Sequence, residues 1–318
     1  MCKVTVLSPV YNKEKTINRT FQSLLRQTCY DFEWLIINDG STDRSVEIIK
    51  SFKTDKFKIK FVDKQNEGLN RTFNLGVRLA QGEFVLRLDP DDYLTDDAIE
   101  KTKRYISLLI GDENLCGVVF LTKYTDDSIV GYHPYNEIKR SNFCDYRITD
   151  KGIGDRREIV KREVFIKHPM PEIEGEKFSL ESLMWNSIAD EYDAVYIPEA
   201  IYVREYNEKS ITASLAKVLS QNPIGTMLAY SQYVDELLKR RHNGMYIYWE
   251  IIKKGINGFR FAFCSKTALS MSFQHFPLWV TLFSFLPAFS LFSIDKMNSK
   301  LVYDVIFYFR KNGVKLKG

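Results

Sequence analysis

Along the first ninety residues, apolar runs of strand length alternate with stretches spaced for helices. Lys3 to Pro9 is a short β-rich run, Thr16 to Gln27 sets Ile17, Phe21, Leu24 and Leu25 on one helical face, and Phe32 to Asn38 is a second apolar run. The pattern repeats with a helix over Ser45 to Ser51, a strand over Ile59 to Val62, a helix over Leu69 to Ala80 and a strand over Glu83 to Leu88. Strands alternating with helices predict a mostly parallel sheet between helices, with ligands bound beyond the carboxyl ends of the strands. The polar punctuation falls at those ends: Ser8-Pro9-Val10-Tyr11-Asn12, Asn38-Asp39-Gly40-Ser41-Thr42-Asp43, Gln65-Asn66-Glu67-Gly68 and Asp89-Pro90-Asp91-Asp92. Asn, Asp, Gly and Ser are also the ordinary residues of turns and helix caps, but four such clusters on one sheet edge single that edge out. From about Gly111 to Thr212, short strands (Val118 to Leu121, Ala194 to Ile197) mix with helical stretches such as Leu180 to Ala189, which reads as the second half of the same domain. Beyond it come helices rich in Leu, Tyr, Phe and Lys.

The chain has 318 residues, enough for a full-size core and a second, smaller unit. With 45% hydrophobic and 27% charged residues it falls outside the disordered, collagenous and coiled-coil classes. Its five cysteines are widely spaced and include no CxxC pair, which argues against a disulfide framework or zinc site. The N-terminus runs straight into a strand pattern without signal-peptide features, so a cytoplasmic protein is expected. Charge changes the picture more: residues 237–318 carry 13 Lys and Arg against Glu250, Asp295 and Asp304, an excess of +10 in a chain of net +4. That balance points to an anionic partner, lipid or nucleic acid, and no nucleic-acid-binding motif accompanies it.

Thr267 to Ile294 contains no charged residue. Pro277 and Pro287 argue against one straight helix, and Ser284, Ser290 and Ser293 dilute its apolar character. A broken amphipathic pair in the membrane interface is expected, flanked by Lys253, Lys254, Arg260, Lys266 and Arg310. The alternative is a helical subdomain packed on the catalytic core or on a second subunit.

The densest chemistry is Leu88-Asp89-Pro90-Asp91-Asp92, three carboxylates in four positions past a buried strand. Crowded carboxylates repel, and a hard divalent cation, Mg²⁺ or Mn²⁺, neutralises them while leaving coordination positions for substrate phosphates. The alternative is a solvated turn whose acids cap the next helix.

In their order and spacing, these four loops, continuing as Asn66-Glu67-Gly68-Leu69 and Asp92-Tyr93-Leu94, resemble the family 2 glycosyltransferases with the GT-A fold, closely over the first hundred residues and more loosely to Thr212. The resemblance implies a mixed, mostly parallel α/β sheet, with residues 1–110 as the nucleotide-sugar half, 111–215 as the acceptor half and 216–318 as a helical extension. It implies that Pro9, Tyr11 and Asn12 line the nucleotide pocket, that Asp39 accepts from the base, typically uracil, that Asn66 and Gly68 border the ribose and diphosphate, and that Asp89 contacts the ribose or metal while Asp91 is the principal metal ligand. Where many relatives carry an Arg-Asn pair, this chain has Asn74 without the arginine, and Arg71 stands one turn earlier. The family's base lies in a Glu-Asp pair; here the stretch is Leu180-Glu181-Ser182, followed by Val195-Tyr196-Ile197-Pro198. A serine hydroxyl is too weak a base at neutral pH, so Glu181 is the candidate and Glu176 the reserve. The implied activity is metal-assisted, inverting transfer of a hexosyl or N-acetylhexosaminyl unit from a UDP-sugar to a glycan acceptor, lipid-linked, in bacterial surface polysaccharide assembly at the inner face of the cell membrane. A non-catalytic sugar-nucleotide-binding module is the rival that Ser182 keeps open.

Overall fold

The structure, a computed structural model, describes residues 3–205, 215–240 and 246–297. Its first half follows the apolar pattern: β1 (Val4–Val10), β2 (Phe32–Asp39), β3 (Lys58–Lys64) and β4 (Phe84–Arg87) are joined by α1 (Ile17–Leu25), α2 (Ser45–Ser51) and α3 (Leu69–Leu79). Every residue of β1 and β2 is buried, as a strand covered on both faces requires. β1 runs parallel to β2 and β4, and β2 parallel to β3, so four carboxyl ends meet at one edge.

The chain continues through β5 (Tyr93–Leu94), α4 (Ala98–Ile106), β6 (Leu115–Tyr124), β7 (Lys139–Ser141), a turn of π-helix over Asp145–Thr149, β8 (Arg156–Lys161), α5 (Arg162–Lys167), α6 (Ser182–Ala189) and β9 (Asp193–Arg204). The sheet order is β3-β2-β1-β4-β8-β6-β9-β5, with β7 on β9. β8 is antiparallel to both β4 and β6, and β6 and β9 run parallel; the sheet is therefore mixed. One face packs around Trp34, Phe21 and Tyr202, the other around Phe73, Tyr146, Tyr196 and Trp185. Burying each such ring contributes about 2–3 kcal/mol.

Two compact units divide the chain: residues 1–172 with 181–208, and residues 173–180 with 209–318. The second unit contains α7 (Leu215–Gln221), α8 (Pro223–Lys239), α9 (Tyr246–Ala262), α10 (Lys266–His275) and α11 (Leu278–Met297). Its segment 173–180 binds the start of α8. Asn222 accepts the N–H groups of Lys177 and Phe178 at 2.9 and 3.1 Å, and the Glu176 carboxylate accepts those of Ile224 and Gly225 at 2.6 and 2.8 Å, two of the donors a helix start leaves open.

α9 and α11 approach through Gly255, where an added Cβ would lie 2.6 Å from Val280 and 2.5 Å from Ser284. Val280, Ser284 and Ala288, one stripe of α11, are fully buried. Pro277 separates α10 from α11 as expected, but α11 runs through Pro287. A proline inside a helix forfeits a hydrogen bond; the buried stripe on either side of it supplies packing that keeps the helix continuous. The serines do not interrupt the helix either, since Ser290 and Ser293 donate back to the carbonyls of Leu286 and Phe289. Leu278–Lys296 is long and apolar enough to cross a bilayer by length and composition, with 22% of its most apolar window buried, and Leu278, Leu282, Phe283, Leu286 and Phe289 are exposed. The basic flank needs correction. Arg260 is buried in a two-point ion pair with Asp295, Lys253 pairs with Glu250, and Lys254 lies 4.2 Å from the centre of the Tyr233 ring. Lys266 is exposed, and Arg310 lies outside the described residues.

Candidate active site

At the β1–β3 end, the loops fasten to one another. Pro9 is buried in β1 opposite Ile37, and Tyr11 behind it is exposed. Asn12 takes a left-handed backbone with φ of 52°; its side-chain oxygen accepts the Thr42 N–H at 2.8 Å, and its own N–H donates to Ser41 Oγ at 2.9 Å. Asp39 closes β2 at 4% exposure. Its Oδ1 accepts Lys64 Nζ at 2.7 Å and the Glu67 N–H at 2.9 Å, and its Oδ2 accepts the Gly68 N–H at 2.9 Å. Burial pushes the Asp39 carboxyl up, but Lys64 and the loop amides outweigh it and hold the group below the ordinary aspartate range. Asn66 donates to the Asp39 carbonyl at 2.9 Å. Gly68 needs its φ of 95°, a region that costs other residues dearly, and a Cβ on Gly40 would sit 2.7 Å from the Asn66 nitrogen. Arg71 donates to the Glu67 carbonyl at 3.4 Å and faces Glu172 at 3.9 Å. Asn74 exchanges bonds with Met170 and reaches Glu172 at 2.8 Å, so its amide is engaged within the fold.

At the β4 end, charges alternate. Arg87 donates to Asp89 at 2.7 Å and also to the Glu181 carboxylate at the start of α6. Arg157 from β8 lies 3.7 Å from Asp89, donates to the Arg87 carbonyl at 3.1 Å and sits 3.5 Å over the Tyr202 ring. Burial pushes Asp89 up, yet Arg87 and then Arg157 overcome it and hold the carboxyl below its usual range. Asp91 pairs with Lys13. Asp92 turns inward, accepting the Tyr202 hydroxyl at 2.9 Å and the Glu205 N–H at 3.2 Å; burial first, then the like charges of Asp89 and Asp91, push it up to about 7. The structure thus joins Asp89 to Glu181 through one guanidinium, brings Asp91 to Lys13, and leaves Glu176 with the second unit as a cap of α8.

Sequence reasoning did not single out Lys13, Lys64, Arg157, Tyr202 or Glu158. Arg157 and Glu158 carry a usable signal, as charges that lead straight into the apolar pair Ile159-Val160 of a strand need partners. Glu158 is half-buried on β8 opposite Val119; burial pushes it up to about 7, with Arg157 and Arg147 pulling it down and Glu181 pushing it up.

The donor set suits a hard cation. Asp89 and Asp91 offer part-exposed carboxylate oxygens, and the Lys13 ammonium already rests on Asp91. Among the described residues no group of three or more His, Cys, Asp or Glu side chains converges as a metal site. Mg²⁺ and its like are commonly held by one or two carboxylates with substrate oxygens and water completing the shell, which these two aspartates can provide.

A model of the glycosyl transferase family 2 matches residues 5–152. Among curated relatives, glycosyltransferase GlyA of Streptococcus pneumoniae is 32% identical over 136 residues, 42% of this chain and 17% of that one. A chondroitin synthase of Escherichia coli is 37% identical over 97 residues, 30% of this chain and 14% of that one. The matched stretch is thus a small part of either relative. Among solved structures, TarS 1–349 of S. aureus in complex with UDP is similar with a TM-score of 0.58 and 17% identity, covering 93% of this chain and 91% of that one. The mannosyltransferase PcManGT of Pyrobaculum calidifontis, in complex with GDP-Man and Mn²⁺, gives a TM-score of 0.51 at 14% identity, covering 94% and 88%. At these identities the structural likeness is one of fold.

Proposed function

We propose that this chain, whose residues 5–152 match the glycosyl transferase family 2 model and whose fold is similar to that of TarS, is a family 2 glycosyltransferase of GT-A fold that moves a sugar from a UDP-sugar to a hydroxyl of a lipid-linked glycan with inversion at the anomeric carbon. The observation that carries this reading is the Arg87 guanidinium held between Asp89 and Glu181 at the sheet edge where the parallel strands end. It puts a phosphate-side carboxylate and a base candidate within one side chain's reach of each other.

In this reading Pro9, Tyr11, Asn12, Asp39, Asn66, Gly68 and Arg71 bind the nucleotide, and Asp89 and Asp91 hold Mg²⁺ or Mn²⁺, which when bound offsets charge on the departing diphosphate. The acceptor oxygen attacks the anomeric carbon as the bond to the diphosphate breaks, and Glu181 takes the acceptor's proton. Two structures similar in fold are complexes with UDP and with GDP-Man and Mn²⁺, which supports a nucleotide-sugar donor. The exposed apolar residues of α11, with the exposed Lys266 shortly before them, support peripheral attachment to a membrane, where a lipid-linked acceptor in polysaccharide assembly would be met.

The test is UDP release from a panel of UDP-sugars with Mn²⁺. The reading expects turnover for one donor over the panel. Nucleotide binding without any turnover, with or without added glycans, would favour the non-catalytic binding module instead.

A further inference from the structure

The Asp39–Lys64 pair has chemistry beyond holding a loop. The two residues face each other in register at the ends of β2 and β3, and the Lys64 side chain is only 13% exposed, although a lysine this close to a surface ordinarily reaches water. Its ammonium is bent back onto Asp39 Oδ1 at 2.7 Å, the Gln65 carbonyl at 2.8 Å and the Glu67 carboxylate at 2.7 Å. Oδ1 takes a second bond from Glu67, Oδ2 takes one from Gly68 and the Thr72 hydroxyl also bonds the carboxylate, so a base N–H would meet Asp39 by displacing that rotatable hydroxyl.

We propose that Lys64 is the positioning residue that sets base choice, by keeping Asp39 an acceptor-only carboxylate and so selecting bases that present an N–H beside a carbonyl. This rests on the reading above, in which Asp39 meets the base. An ionised carboxylate only accepts; a protonated one also donates. Uracil and guanine carry a hydrogen on the ring nitrogen of that edge and match the ionised form. Cytosine and adenine carry a bare ring nitrogen beside an amino group and match the protonated form. Without Lys64, burial would weigh toward the neutral carboxyl against only the Glu67 and Gly68 amides and the Thr72 hydroxyl. The groups facing Asp39 are Lys64 from β3, the amides of Glu67 and Gly68, the Thr72 hydroxyl from α3, and the Glu67 carboxylate across Lys64; only Lys64 supplies positive charge among them.

The experiment is calorimetric titration of UDP, GDP, CDP and ADP into the full chain, its Lys64→Met variant and its Lys64→Arg variant, at pH 6 and pH 8, with melting temperatures to confirm folding. The wild type should bind its better keto-base nucleotide at least about tenfold more tightly than CDP or ADP, the scale of one mispaired buried hydrogen bond. Lys64→Met should shrink that ratio to within about threefold, more at pH 6 than at pH 8, and Lys64→Arg should restore it. A Lys64→Met variant that weakens all four nucleotides alike, with the ratio unchanged, would overturn the inference and leave Lys64 a loop-holding residue. A wild type that binds none of the four would overturn the nucleotide-sugar reading itself, and the inference with it.

Discussion

Replacing Glu181 by glutamine separates chemistry from architecture. The Glu181 side chain is 39% exposed and its ion-pair partner Arg87 18%. The amide keeps an oxygen for Arg87 and loses only the charge, so a pair this wet should cost about 0.5–1 kcal/mol of stability, or about 1–4 °C in melting temperature for a domain of this size. The loss in turnover should be far larger. General bases contribute about 10²–10⁴ in rate, which converts to about 3–5 kcal/mol of barrier. Because Asp39, Asn66 and Gly68 are untouched, UDP affinity should stay within about twofold. The assay is donor turnover by UDP release beside calorimetry and thermal melting on the same preparations. Turnover within threefold of wild type would refute the assignment of the base, and a loss of UDP affinity as large as the loss of turnover would show that Glu181 binds rather than reacts.

Glu158→Gln should stabilise the fold at pH 8 and do little at pH 4. The folded-state value of about 7 lies above the usual 4.5, so the native carboxyl holds its proton while the unfolded one ionises, and the burial cost grows as pH rises from about 4.5 to 7 and is full above it. The gain at pH 8 is about 1–3 kcal/mol, read by denaturant melts at the two pH values, and equal stabilities at pH 8 would contradict it. On the tail, Leu282→Gln together with Leu286→Gln should cut binding to anionic vesicles at least tenfold in a sedimentation assay, with little change in melting temperature because both side chains are exposed. Wild-type protein that ignores such vesicles would rule out membrane attachment.

The donor half of the fold was legible because its signals are local. Apolar runs gave β1 to β4, and the turn residues after them mark the ends where Asp39, Gly68 and Asp89 sit. What stayed hidden comes from pairing across long stretches of chain. Tyr202 meets Asp92 from 110 residues away, Arg157 reaches Asp89 because β8 inserts antiparallel between β4 and β6, and no window of sequence holds either contact. Lys64 reads as an ordinary strand-end lysine until the register sets it against Asp39. Glu176 sits only five positions before Glu181 in sequence, yet it caps a helix of the second unit. Arg260 reads as a surface charge by composition, and only the side-by-side packing of α9 and α11 brings it to Asp295. Pro287 reads as a break because local rules see its missing N–H and not the buried stripe that offsets it.

The central claim is that Asp89 and Asp91 join a divalent cation to a nucleoside diphosphate at the edge built by β1 to β4. Calorimetric titration of UDP into the wild type and Asp91→Ala, each with and without Mn²⁺, tests it most directly. Mn²⁺ should tighten UDP binding to the wild type at least tenfold and have no such effect on Asp91→Ala. Equal UDP affinity for both proteins, with and without Mn²⁺, would contradict it.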